Sequence, residues 1–349
     1  TEMQPGGIIL TTFDRRNMWA VDLDRKTRYP LEGVRPCGTN CHLSPDFRWI
    51  TYLNPLDATF YKMQLDGSER TPLAENATDV LWWTDDILLI WSPEHHPSLL
   101  NPDGRLTDLD LHGGISIQPG GQWALALRYI STDADFRRIL INLDQPDDVR
   151  VLPGADRQYF GATAWSPDGT WLAYVTPIEH GESTDPIGGE IYGINLVSGL
   201  PAQWTHLNTD QNRVRIGGQT PASGLSPSPD GTKLAFWVTP ATDLPIDSIA
   251  TPEVQPEIAS SIIHVLDIPT RTIQRYCDYS TQSNIPAPPR LVWSPDSSHL
   301  VFADNPPDDP RGALLIGLNL ADGVYIELSE GIYPALGSAS VVAWGLPPS

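Results

Sequence analysis

Lysine is scarce in this chain. Lys26, Lys62 and Lys233 are the only lysines among 22 basic residues, against 43 acidic ones. The formal net charge of −21 excludes non-specific attraction to nucleic acid or to an anionic membrane surface, and it favours solubility. Cysteine is almost as rare. Cys37, Cys41 and Cys277 make an odd count, too few for a disulfide scaffold. A local Cys37–Cys41 bridge is open if the intervening loop folds back, and no second cysteine pair follows that would make a zinc site. Long apolar runs are missing: the longest, residues 80–83 and 87–91, are strand-sized and far short of a membrane helix. No G-x-S-x-G elbow, P-loop or H-E-x-x-H pattern occurs. The chain begins at Thr1 without Met, as a mature or trimmed polypeptide would, which leaves room for an export signal in the precursor.

What is abundant is turn chemistry and tryptophan. The 349 residues include 34 Pro, 28 Gly and 12 Trp, and 40% hydrophobic against 19% charged residues mark a globular chain. One stretch returns along the chain. TAWSPDGTWLAYV (163–175) has counterparts in HLSPDFRWITYL (42–53), LSPSPDGTKLAFWV (225–238) and LVWSPDSSHLVFA (291–303), with weaker copies in LWWTDDILLIW (81–91) and SIQPGGQWALAL (116–127). Ser-Pro-Asp-Gly suits a tight type I turn, and the β-branched, aromatic and Leu flanks read as strands. Each copy is a hairpin of strands a and b. A third strand, a polar turn and a short fourth strand follow, as in FYKMQLDGSERTPL (60–73) and LLIGLNLADGVYIEL (314–328). A four-stranded meander with two apolar faces needs a neighbour on each side, so repetition around an axis predicts a β-propeller.

The two ends complete the count. Residues 8–31 read as strands b, c and d with no strand a, and SVVAWG (340–345) is a lone strand with Trp344 placed as Trp165 and Trp293 are in their hairpins. The expectation is all-β: one seven-bladed propeller of four-stranded antiparallel blades, closed by a three-plus-one clasp. Its blades are expected at 7–33 plus 339–346, 40–74, 78–110, 113–153, 160–208, 222–277 and 289–329.

The Trp-Ser-Pro-Asp-Gly…Leu-Ala-Tyr pattern resembles the WD40-like PD40 repeat of TolB-type propellers over nearly the whole chain. That resemblance implies an extracytoplasmic bacterial setting, periplasmic, secreted or membrane-anchored. It also implies a role as a binding protein, gate or sensor ectodomain. TolB-type proteins carry an extra N-terminal domain that finds no counterpart in these residues.

A working face follows from loop length. The turn motifs start at 44, 84, 118, 166, 228 and 294, at intervals of 40, 34, 48, 62 and 66. The added length falls in b–c and d–a connections, which leave a meander at one end, and loops lengthened on one face of a rigid scaffold mark the working face. Strand-a entries on that face bring His42, Asp79, His112, Tyr159 and Arg290, with Arg157 just before, a mixed-charge set suited to a polar ligand or peptide terminus. The recurrent Asp46, Asp168, Asp230 and Asp296 sit in the a–b turns at the opposite end and are read as turn caps. His95, His96 and His180 have acidic neighbours but no metal-ligand spacing. Asp133, Asp135, Asp185, Asp308 and Asp309 supply the oxygen ligands that Ca²⁺ takes, without EF-hand spacing. No cofactor is expected. The leading expectation is a monomeric, non-enzymatic module binding a protein, peptide or glycan. The alternative is a lyase or hydrolase at the channel mouth, with His42, Asp79, His112 and Arg290 as acid, base and electrostatic clamp.

Overall fold

A computed structural model describes residues 6–12, 17–35, 40–92, 97–108, 115–129, 136–142, 145, 147–156, 162–177, 189–209, 213–217, 224–240, 259–283, 288–304, 310, 314–328 and 340–348. The chain is all-β, with seven blades of antiparallel strands in a propeller arrangement and no helix among the described residues. In order a to d, blade 1 is Ser340–Gly345, Ile8–Thr12, Met18–Asp22 and Thr27–Leu31. Blade 2 is Cys41–Leu43, Trp49–Asn54, Thr59–Gln64 and Thr71–Glu75, and blade 3 is Asp79–Trp82, Leu88–Trp91, Ser98–Leu100 and Leu106–Asp108. Blade 4 comprises Ile115–Ile117, Trp123–Tyr129, Phe136–Asn142 and Val149–Asp156. Blade 5 comprises Thr163–Trp165, Trp171–Pro177, Gly189–Asn195 and Pro201–Gln203. Blade 7 is Val292–Trp293, His299–Asp304, Leu314–Asn319 and Tyr325–Glu327.

Blade 6 departs from this plan. Its strands b, c and d are Lys233–Pro240, Ala259–Asp267 and Ile273–Ser283, but two short segments, Val214–Ile216 and Ser226–Pro227, both pair with strand b. Ile216 lies opposite Val238 and Ser226 opposite Ala235, so strand a is a single line with extra residues inserted in its middle. The insertion leaves at Gly217 and returns at Gly224. A Cβ on Gly217, whose φ is +73°, would fall 2.5 Å from the Gly224 Cα, so only glycine permits this approach.

Two compact units divide the chain. The first holds blades 7, 1, 2 and 3, and the second holds blades 4, 5 and 6. In the first, the inner strands lie side by side in the order blade 7, blade 1, blade 2, blade 3. Strand Ser340–Gly345 pairs with Ile8–Thr12, with Trp344 opposite Ile9 and Ser340 opposite Thr12. Trp344 is fully buried among Ile9, Val21, Val301, Ala303 and Leu315 on the seam with blade 7, while Val342 and Ala343 join the seam with blade 2. Beyond that strand, Leu346 N–H donates to Phe47 O (2.6 Å) and Arg48 Nη1 donates to Pro347 O (2.8 Å).

The repeat motif folds as its chemistry dictates. In blades 2, 4, 5, 6 and 7 the residue at 44, 118, 166, 228 or 294 donates its N–H to the carbonyl five residues on (2.8–3.0 Å), and its own carbonyl accepts from the residue three on (2.9–3.2 Å). The fourth position is left-handed in four of these turns, at Phe47 (61°), Gly169 (71°), Gly231 (68°) and Ser297 (59°). Asp230 Oδ1 accepts from Ser228 Oγ (2.6 Å), Thr232 N (3.0 Å) and Thr232 Oγ1 (2.9 Å), and Asp296 Oδ1 makes the same three contacts in its turn. Asp168 Oδ1 accepts from Thr170 N and Oγ1, and Asp46 Oδ1 from Ser44 Oγ and Arg48 N. Burial works to raise the pKa of Asp168, Asp230 and Asp296, and these hydrogen bonds outweigh it, holding each carboxyl below its ordinary range. These carboxylates cap turns.

In the second unit, Trp204 lies flat over strand c of blade 5, where a Cβ at Gly193 would meet the ring at 1.9 Å. Trp171 meets the same ring edge-on (5.6 Å, 74°) and donates Nε1–H to Gly231 O of blade 6 (2.9 Å). Arg271 covers the ring at 4.0 Å. His264, on strand c of blade 6, is 3% exposed and stacks on Phe236 (5.9 Å). Burial pushes its pKa down to about 4; the Ile262 carbonyl opposes this and Arg275 across the strand adds to it. Because this value lies below the unfolded one, near 6.5, stability is complete above pH 6.5 and declines as the pH falls towards 4. The expected loss is about 3 kcal/mol. Urea unfolding at pH 7 and pH 4 should record it, and His264→Phe should remove most of the difference.

Candidate functional site

Each blade starts its inner strand at the end where the b–c and d–a connections emerge, so strand-a entries share one rim within a unit. In the first unit this rim carries His42, in strand a of blade 2, and Asp79, the first residue of strand a of blade 3. The structure brings them together: His42 Nε2 lies 2.9 Å from Asp79 Oδ1, with side chains 25% and 27% exposed. A carboxylate only accepts, so Nε2 carries the proton and donates. Asp79 Oδ1 also accepts from Val80 N (2.9 Å).

The seam beneath is stitched by further hydrogen bonds. Trp82 Nε1 donates to His42 O (2.9 Å), Thr51 Oγ1 to Val80 O (2.8 Å) and Asn40 Nδ2 to Thr78 O (3.1 Å). Cys41, beside His42, is buried and disulfide-bonded; Cys277 is a free, exposed thiol, and Cys37 lies outside the described residues. The pair is thus held on a rigid ledge spanning two blades, with polar edges open to solvent.

Arg290 sits in the same unit, just before strand a of blade 7, two inner strands from His42. It is partly buried, and burial lowers its pKa by disfavouring the charged guanidinium. Three other residues expected at the mouth, His112, Arg157 and Tyr159, lie outside the described residues, as do His95, His96, His180 and the loop carboxylates Asp133, Asp135, Asp185, Asp308 and Asp309. Among the described residues, no group of three or more His, Cys, Asp or Glu is placed to hold a metal ion.

In the second unit the rim holds a residue that the sequence reading passed over. Glu190, in strand c of blade 5, is 3% exposed. Its carboxylate accepts from Thr205 Oγ1 (2.5 Å), Leu207 N (2.7 Å), Asn208 N (2.9 Å) and Asn208 Nδ2 (3.1 Å). Asn208 Oδ1 in turn accepts from Val214 N (2.8 Å), where the upper part of strand a of blade 6 begins. Glu190 therefore fixes the long d–a connection and delivers that segment to the inner edge. The signal was present: one acid in an otherwise apolar strand, EIYGINL, is expensive to bury unless several donors converge on it.

No protein-family model matches the chain, and no curated protein matches it. Solved structures do. An oligogalacturonate lyase in complex with manganese is 13% identical, with 93% of this chain and 85% of that one covered at a TM-score of 0.52. The oligogalacturonate lyase of Vibrio parahaemolyticus is 16% identical, with 85% and 88% covered at 0.51. TolB from Acinetobacter baumannii is 15% identical, with 97% and 81% covered at 0.45. Identities this low speak to the fold alone.

Proposed function

We propose that the protein is a non-enzymatic binding module of TolB-like fold, which presents its acidic, loop-rich rim to a protein, peptide or glycan. The observation that carries this reading is the His42–Asp79 pair: a donor–acceptor edge, about one quarter exposed, fixed across two blades on the rim where the long connections emerge. Arg290 adds a cation to the same rim, suited to an acidic group on the ligand. A net charge of −21 favours neutral or basic partners elsewhere on that face. The disulfide at Cys41 supports an oxidising, extracytoplasmic setting.

The test is a screen of wild-type protein against an array of short peptides and an array of neutral and acidic glycans. The reading expects a ligand whose affinity falls on the order of tenfold, ~1.4 kcal/mol, in both Asp79→Asn and Arg290→Ala. Binding that survives both changes removes the rim from consideration.

A second reading has its own observation. Asp79 engages Nε2 of His42 and leaves Nδ1 as the basic nitrogen, the arrangement of a general base steadied by a carboxylate. On this reading the protein is a lyase or hydrolase, and an acidic oligosaccharide is the first substrate to assay. Turnover lost in His42→Asn and Asp79→Asn would replace the binding reading with this one.

A further inference from the structure

In five of the six repeat hairpins the first residue of strand b is aromatic or basic, Trp49, Trp123, Trp171, Lys233 and, in blade 7, His299; blade 3 has Leu88 there. In blade 5 this residue reaches the next blade, where Trp171 Nε1–H meets the carbonyl of Gly231 in the a–b turn. Blade 7 faces blade 1, which has no a–b turn, because its strand a is the end of the chain and its strand b is near the beginning. The turn acceptor that blade 6 offers Trp171 therefore has no counterpart among the described residues of this seam.

His299 is 3% exposed, with its ring 6.3 Å from Trp344 and tilted by 52°. Nδ1 lies 2.6 Å from Ser298 Oγ, and Ser298 Oγ lies 2.7 Å from Asp296 Oδ1. The carboxylate can only accept, so the Ser298 hydroxyl donates to it and receives Nδ1–H from His299. Nε2 is then the bare nitrogen, and it is buried with no hydrogen-bond partner among the described residues. A proton added there would create a buried N–H with no acceptor among those residues, beside the ring that anchors strand Ser340–Gly345.

We propose that His299 is an acid-sensitive latch: neutral, it packs on Trp344 and holds strand Ser340–Gly345 in blade 1; protonated, it releases that strand. The ionisable groups facing the ring are Asp296 in its own turn and Asp322 in the c–d turn of blade 7. Strands Val292–Trp293, Leu314–Asn319 and Ser340–Gly345 present none. Burial lowers the His299 pKa below 6.5, against the pull of Asp296 and Asp322 towards the charged form. The unfolded state therefore takes the proton more readily, and the hold on the strand is complete above pH 6.5 and weakens as the pH falls below it.

Hydrogen exchange of the peptide spanning 340–345, corrected for intrinsic rates and compared with strand Thr59–Gln64 of blade 2, tests this between pH 7.5 and 5. The expected result is a loss of protection at 340–345 at least tenfold greater than at 59–64, disappearing in His299→Gln and in His299→Trp, the residue found in three other hairpins. Protection that ignores pH in the wild type, or an acid effect that persists in both variants, overturns the latch. Should neither variant fold, the NMR titration of the His299 ring in the wild type decides: a pKa below 6.5 together with the local loss of protection supports it, and a value at or above 6.5 overturns it.

Discussion

Trp344→Ala is expected to cost about 3–5 kcal/mol of stability, the range for deleting a large buried aromatic. The indole is fully buried between strands of blades 1 and 7. Its Nε1–H donates to Gly6 O (2.9 Å), so truncation opens a void and strands an acceptor at once. No turn ties the strand to strand b, so pairing, side-chain packing and the hydrogen bonds at Ser340 and Trp344 hold it in blade 1, and losing the indole removes a large share of that hold. Denaturant titration with Val197→Ala as control measures it. Val197 is 90% exposed, and its truncation should shift stability by no more than about 0.5 kcal/mol. A cost below about 1 kcal/mol for Trp344→Ala would mean that blade 1 is held by something other than this side chain.

Glu190→Ala should be comparably damaging, at about 3 kcal/mol or more, since four donor contacts lose a charged acceptor in a buried place. The damage has a predictable location. Without the carboxylate, Asn208 loses its anchor, and Val214 N loses the fixed partner that starts the inner segment of blade 6. Hydrogen exchange at 214–217 should therefore accelerate well before exchange at Lys233–Pro240. Glu190→Gln, which keeps one acceptor oxygen but directs an amide towards existing donors, should fall between alanine and wild type. Uniform acceleration across blade 6 would show that Glu190 supports the whole sheet and not the connection specifically.

The repeat architecture was legible because one local device recurs. Ser-Pro-Asp-Gly encodes its turn through side chains within five residues of each other, and Trp165, Trp293 and Trp344 mark equivalent positions without any tertiary knowledge. Even departures at the fourth position keep the same backbone, since Phe47 and Ser297 adopt the left-handed φ that Gly169 and Gly231 adopt more cheaply. The pairing of His42 with Asp79 was half legible. Both residues could be placed at strand entries, but their contact depends on how two blades pack, which no local pattern contains.

Other features were hidden for the same reason. The upper part of strand a in blade 6, Val214–Ile216, looks like connector because its strand character comes from pairing with Val238–Pro240 across the sheet. Glu190 reads as an odd polar residue until Thr205, Leu207 and Asn208 converge on it from fifteen or more residues away. His264 and His299 differ little in sequence context from surface histidines; it is burial in the folded chain that lowers their pKa values.

The broken inner strand of blade 6 has a practical corollary. Its two halves keep their pairing on either side of the interruption, and the glycines that bound it touch backbone to backbone. A chain that leaves and re-enters at one point closes a loop at an entropic cost that grows only slowly with length. That junction is therefore a natural graft point, where foreign peptides of varied length can be spliced into the scaffold while the sheet that frames them keeps its register.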